Sequence, residues 1–301
     1  MVPRWGRKGL HMSKIVIVAE SGCDIPAEEA RRLGIVIVPM HVTMGDATID
    51  DGDLTPAEML EQCRQMGVHP HTSGCMPGDF GPVFDRIHDE QPEAHILYLA
   101  YSAVTTCSYE SAKIAAEGRD YVTMTDTGHV TIGQGFVVTG TAAWIAAHPE
   151  ATVDEARAFA DDLAHRVRMG FIPGDLGYLR AGGRLSNAAF FGATLLKIKP
   201  VIELVDGKLV ATKKLRGSMT SAAVGLLDLL VAQGPTDLER IFFVRATGLP
   251  PVVQQAAEAR AKELGFKHIS WYETGNVITS HGGAGSFGVA LAAPAAGATA
   301  A

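Results

Sequence analysis

Residues Lys14 to Val38 read KIVIVAESGCDIPAEEARRLGIVIV. The two ends, residues 14–19 and Ile35–Val38, are short β-branched runs, the second stopped by Pro39, and the charged stretch 26–33 between them has a helical pattern. Two strands separated by a helix in so short a span imply parallel neighbours. The same alternation continues outward. Thr55-Pro56-Ala57-Glu58 is a capping box with proline at the first helical position, predicting a helix through about Met66. A strand at His95–Ala100, a helix near 106–116, a strand at 121–125 and a long apolar helix near 132–147 follow. The first half of the chain is therefore expected to be α/β, with a mostly parallel sheet covered on both faces.

His148-Pro149-Glu150 marks a break, and Thr152-Val153-Asp154-Glu155 is a second capping box that starts a linker helix into another lobe. That lobe has strands expected at 199–204, 209–211, 241–245 and 268–272, a turn at Asp206-Gly207, and helices near 219–232 and 252–264. The expected organisation is an N-terminal extension over 1–12, a first α/β lobe over about 13–165, a second α/β lobe over 166–291, and a disordered, alanine-rich tail over 292–301. A ligand site falls naturally in the cleft between two such lobes.

Composition narrows the classes of function. A net charge of −7 with no lysine- or arginine-rich stripe argues against nucleic acid. No apolar run reaches the ~18 residues of a membrane span, so a soluble protein is expected, with room for transient contact with a membrane surface. Cys23, Cys63, Cys75 and Cys107 show no CxxC spacing, which fits reduced thiols in a cytoplasm. Cys75 reads as a small packed residue in preference to a nucleophile.

Several stretches look chemical. Gly283-Ala284-Gly285-Ser286-Phe287-Gly288 is a literal G-x-G-x-x-G, but no acidic residue follows it to bind a ribose, so its glycines are expected to shape a turn or a close backbone approach. It is no hydrolase elbow, because Ala284 stands two before Ser286, and no Walker-type phosphate loop exists. In HTSGCMPGDF, His71 to Phe80, a metal on His69 and His71 would need ligands that no other cluster offers. Thr72 and Ser73 beside Gly74, with Pro77-Gly78 opening a helix, suit an oxygen-rich anion. A second hydroxyl-rich stretch, Tyr101 to Ser108, lies beyond a strand end where α/β proteins bind ligands. In YLRAGGRL, Tyr178 to Leu185, a Gly-Gly turn aims Arg184, a residue type that pairs with carboxylates.

Taken together, IVIVAESGCDIP, TSGCMPGDF, YSAVTTCSYESA, TDTGHVTIGQG, YLRAGGRLS, LLKIKPVI, KKLRGS and SHGGAGSFGVA give the chain, from Ser13 to Leu291, a resemblance to the DegV family of fatty-acid-binding proteins. The resemblance implies a two-lobed α/β fold holding one long-chain fatty acid as ligand, with no cofactor and no metal. Its acyl chain would lie in an apolar tunnel and its carboxylate on Thr72, Ser102 and His281, with Arg184 supporting that polar network. Arg216 matches a position associated with phosphorylation or partner contact, and the implied partner is a separate ATP-dependent fatty acid kinase subunit that makes acyl phosphate for phospholipid synthesis. The binder would then be no enzyme itself. Glu20 stands where the family usually has aspartate, and Ala103 where it usually has serine. Two other readings remain beside this one: a serine-dependent ester hydrolase using Ser102 and His281, and a lipid-binding sensor without a kinase partner.

Overall fold

The crossover at the start of the chain forms as its residues imply. Strand β1 (Ile15–Glu20) pairs in parallel with β2 (Ile35–Val38), Ile17 opposite Ile35 and Glu20 opposite Val38, with α1 (Ala27–Leu33) between them. The computed structural model describes residues 15–183 and 198–297. The extension over 1–12, the tail beyond 297, Arg184, and the apolar pair Leu195 and Leu196 lie outside the described residues.

The first lobe continues with β3 (His41–Met44), β4 (Ala47–Asp50), α2 (Pro56–Met66), β5 (His71–Ser73), α3 (Pro77–Glu90), β6 (His95–Ala100), α4 (Ser108–Ala116), β7 (Val122–Asp126), α5 (Thr131–Ala147) and α6 (Val153–Arg166). Its main sheet has the order β2-β1-β6-β7 and is parallel throughout. Both capping boxes form: Thr55 and Thr152 each accept from the backbone of a glutamate three residues on, and that glutamate bonds back. A second, antiparallel sheet, β4-β3-β5, was not expected. Its hairpin turns on Gly45-Asp46, with Met44 opposite Ala47, so a two-residue Gly-Asp turn between alternating apolar residues was the available signal.

The second lobe comprises β8 (Val167–Ile172), α7 (Leu176–Ala181), β9 (Ile198–Val205), β10 (Lys208–Arg216), α8 (Met219–Val231), β11 (Arg240–Arg245), α9 (Pro251–Glu263), β12 (His268–Glu273), α10 (Asn276–Gly282) and β13 (Phe287–Ala292). Its sheet, β10-β9-β8-β13-β11-β12, is antiparallel except for the β11–β12 pair. Strands β8 and β13, absent from the sequence reading, supply its centre. Helix α5 contacts strands of both large sheets, and one apolar cluster runs from Ile17 and Leu99 through Phe136 and Val137 to Ile202 and Ala290. Burial of every residue from Thr131 to Ala142 explains why α5 carries no charged side chain.

The glycines of the G-x-G-x-x-G stretch serve a turn and close packing. Gly283 and Gly285 have φ of 71° and 75°, in the left-handed region. Gly174 faces this turn so closely that a Cβ there would lie 1.8 Å from the carbonyl oxygen of Ala284. Gly174→Ala should therefore push the turn off β8, costing about 1–3 kcal/mol and lowering Tm by roughly 2–10 °C in a thermal melt.

His41 ties the small sheet to the start of α3. Its Nδ1 lies 2.9 Å from Asp50 Oδ1 and its Nε2 3.0 Å from Asp79 Oδ2. Burial pulls the imidazole down, but the hydrogen bonds to Asp79 and Asp50 outweigh it, so His41 titrates above its ordinary value. A group raised in the folded state stabilises fully below its unfolded pKa, about 6.5, and loses that contribution as pH rises through the folded value. The stability gap between wild type and His41→Gln, from urea melts, should be widest below about pH 6.5 and narrow steadily above it.

Candidate functional site

A cavity lies between the lobes. The first lobe lines it with Met40, Thr72, Gly74, Tyr101, Thr105, Thr106, Val130 and Thr131, and the second with Phe171, Leu209, Val244, Thr274, Ile278, His281, Ser286 and Phe287 among others. Aliphatic and aromatic groups thus share the walls with a set of hydroxyls. That combination suits a ligand with a long apolar part and an oxygen-rich end.

At the polar part, Thr72 Oγ1 and His281 Nε2 are 2.8 Å apart across 209 positions of sequence. Thr72 is placed by β5, where it sits opposite Val42 of β3. His281 is in the last turn of α10, and a Cβ on Gly182 would lie 2.1 Å from its Nδ1, so glycine is required for the end of α7 to pack on the ring. Gly74 has a comparable role, since a Cβ there would be 2.1 Å from Thr106 Oγ1. Ser108 Oγ accepts from Cys75 N at 3.0 Å, and the two hydroxyl-rich loops therefore meet.

The other sequence candidates are distributed differently. Ser102 is buried but is not among the residues lining the cavity; its hydroxyl donates to the Gly207 carbonyl in the β9–β10 turn at 2.7 Å. Its carbonyl accepts from Thr105 N and Thr105 Oγ1, so it braces a residue that does line the wall. With this hydroxyl on Gly207 and His281 Nε2 on Thr72, the arrangement is not that of a Ser102–His281 hydrolase. Ser73 is exposed, as is Arg216 at the end of β10. Cys75 is buried, its thiol donating to the Pro39 carbonyl at 3.3 Å, and burial pushes its pKa up, which leaves it no nucleophile. His69 packs edge-on against Tyr178, and among the described residues no group of three His, Cys, Asp or Glu could hold a metal.

Behind the lining lie three carboxyls, Glu20 and Asp24 buried and Asp51 half-buried, of which the sequence drew attention only to Glu20, as a departure from the family's usual aspartate. Glu20 accepts from the Tyr98 hydroxyl, from Tyr101 N at 3.0 Å and from Gln134 Nε2 at 2.8 Å, fixing the backbone of wall residue Tyr101. Asp24 accepts from the Thr131 hydroxyl and from Gly275 N at 2.8 Å. Asp51 accepts from Ser21 Oγ at 2.8 Å, Asn276 N at 2.7 Å and Val277 N at 3.4 Å. Burial raises the pKa of all three, and the donors around each only partly offset it. Their partners lie as far as 251 positions away, and no local spacing could reveal them.

The fold has counterparts among known proteins. A DegV domain-containing protein of Streptomyces coelicolor is 29% identical over 282 residues, covering 92% of this chain and 98% of the relative, and one from Deinococcus radiodurans is 28% identical over 281 residues, with the same coverages. A DegV family protein of Thermus thermophilus, whose structure is described as showing fatty acid binding, superposes with a TM-score of 0.83 at 28% identity, covering 94% of this chain and all of that one. The DegV protein of Bacillus subtilis, at 23% identity and a TM-score of 0.77, shares the fold. The DegV family profile, described as one of uncharacterised proteins, matches residues 14–293, and the chain belongs to the DegV family.

Proposed function

We propose that this protein binds one long-chain fatty acid between its lobes, with the acyl chain against the apolar walls and the carboxylate on Thr72 and His281. The observation that carries this reading is the Thr72–His281 pair, 2.8 Å apart at a cavity also lined by Phe171, Leu209, Val244 and Phe287. The fatty acid binding of the Thermus thermophilus relative supports it. A tail of about 16 carbons, at ~0.8 kcal/mol per methylene, gives roughly 11 kcal/mol gross, against about 1.5–3 kcal/mol for each hydrogen bond to the carboxylate. The tail supplies affinity and the polar pair supplies orientation. Ser102 contributes from behind the wall by bracing Thr105, and the supporting role of Arg184, which lies outside the described residues, is the one the family resemblance implies.

The same reading makes the protein a carrier in the cytoplasm that presents its carboxylate to a separate ATP-dependent fatty acid kinase. In this reading the partner binds the nucleotide. Exposed Arg216 is the basic residue assigned to that encounter.

Organic extraction of the purified protein followed by mass spectrometry should yield one fatty acid per chain, and a protein that neither holds nor takes up lipid would sink the proposal. Thr72→Ala and His281→Ala should each weaken fatty acid binding by roughly tenfold to a hundredfold in a displacement titration, with little change in Tm. Arg216→Ala should keep wild-type lipid affinity while cutting acyl phosphate formation about tenfold or more in a reconstituted mixture with the kinase.

A further inference from the structure

Helix α10 carries His281 at one end and is gripped by the first lobe at the other. Asp24 takes the N–H of Gly275, and Asp51 takes those of Asn276 and Val277. The side chain of Asn276 adds a hydrogen bond from Nδ2 to the Leu54 carbonyl at 2.8 Å. Behind the carboxylates, the network returns to the cavity wall. Ser21 donates to Asp51 and accepts from the N–H of Met40, a wall residue, at 3.0 Å, while Asp24 accepts from Thr131, another wall residue. Asp24 and Thr131 both have left-handed backbones, φ 55° and 44°, a conformation a β-branched residue adopts only when its surroundings impose it.

We propose that Asp51, assisted by Asp24, is a positioning residue for the fatty-acid carboxylate site, holding α10 at the depth and direction that bring His281 onto Thr72. This rests on the proposed role of the Thr72–His281 pair. Helical rise puts His281 about 7.5 Å along the axis from Asn276, so a tilt of about 10° at the gripped end moves the imidazole by roughly 1.3 Å. That displacement is enough to break a 2.8 Å hydrogen bond. The grip is sterically tight as well as hydrogen-bonded: a Cβ on Gly275 would lie 2.9 Å from Asp51 Oδ1, although the backbone there has φ of −68°, which alanine adopts without strain.

The test compares Asp51→Ala, Asp51→Asn and Gly275→Ala with wild type by fatty acid titration, and by the 15N resonances of the His281 ring. Asp51→Ala and Gly275→Ala should weaken binding roughly tenfold or more and shift the His281 signals, while Asp51→Asn, which keeps the acceptor oxygen, should recover most of the affinity. Folded Asp51→Ala and Gly275→Ala proteins that bind as wild type would overturn the proposal and leave fatty acid binding intact. If wild type binds no fatty acid, the reading of the site fails, and the ring resonances alone decide: shifted in both variants, the grip positions His281; unshifted, it does not. Should Asp51→Ala not fold, Gly275→Ala and Asp51→Asn carry the same comparison.

Discussion

Helix α10 belongs to the second lobe by chain order and to the first by burial. Val277 is 2% exposed within the apolar cluster of the first lobe, together with Val42, Met59 and Phe80, and Ser280 lies beside Met59. A helix inserted into the other lobe's core cannot slide without opening that core. Much else depends on this constraint. The cavity has a lining from both lobes because α10 brings part of its second-lobe wall, Ile278 and His281, to the first-lobe wall, Thr72.

Such an insertion has polar consequences. The first backbone N–H groups of a helix have no intrahelical partner, and burying them in another lobe demands acceptors. Asp24 and Asp51 meet that demand. Asp24 does so from a left-handed backbone, and its partner Thr131 shares that conformation, each at a typical cost of about 1–3 kcal/mol. The hydrogen bond between them and the burial of α5 offset the strain. Removing either acceptor leaves buried donors unpaired, which is why these carboxyls remain although burial raises their pKa.

What the sequence made legible follows from the range of the interactions. The parallel character of the sheet of β1, β2, β6 and β7, the capping boxes at Thr55 and Thr152, and the apolar helix α5 rest on local pattern, and each was readable. Strands β8 and β13 were not: Arg168 interrupts one, Gly288 interrupts the other, and their partnership spans more than a hundred residues. Of the site, Thr72 and His281 could be named through family resemblance, because the motifs that hold them are local, whereas their contact is not. Asp24 lay inside a quoted motif and Asp51 in a loop, yet nothing nearby signalled that both would cap a helix more than two hundred residues away.

A chain with a net charge of −7 that surrounds a proposed carboxylate site with Glu20, Asp24 and Asp51 invites like-charge repulsion. The geometry reduces it. Each carboxyl is occupied by donors, so its lone pairs are directed into the fold, and none of the three is among the groups lining the cavity. Burial also makes their charged forms costlier and raises the pKa of each. The groups that do face the cavity at its polar part are hydroxyls and an imidazole, which can donate to a carboxylate without first giving up a cation partner. The wall is therefore receptive to an anion because the acids behind it are spent on holding the wall in place.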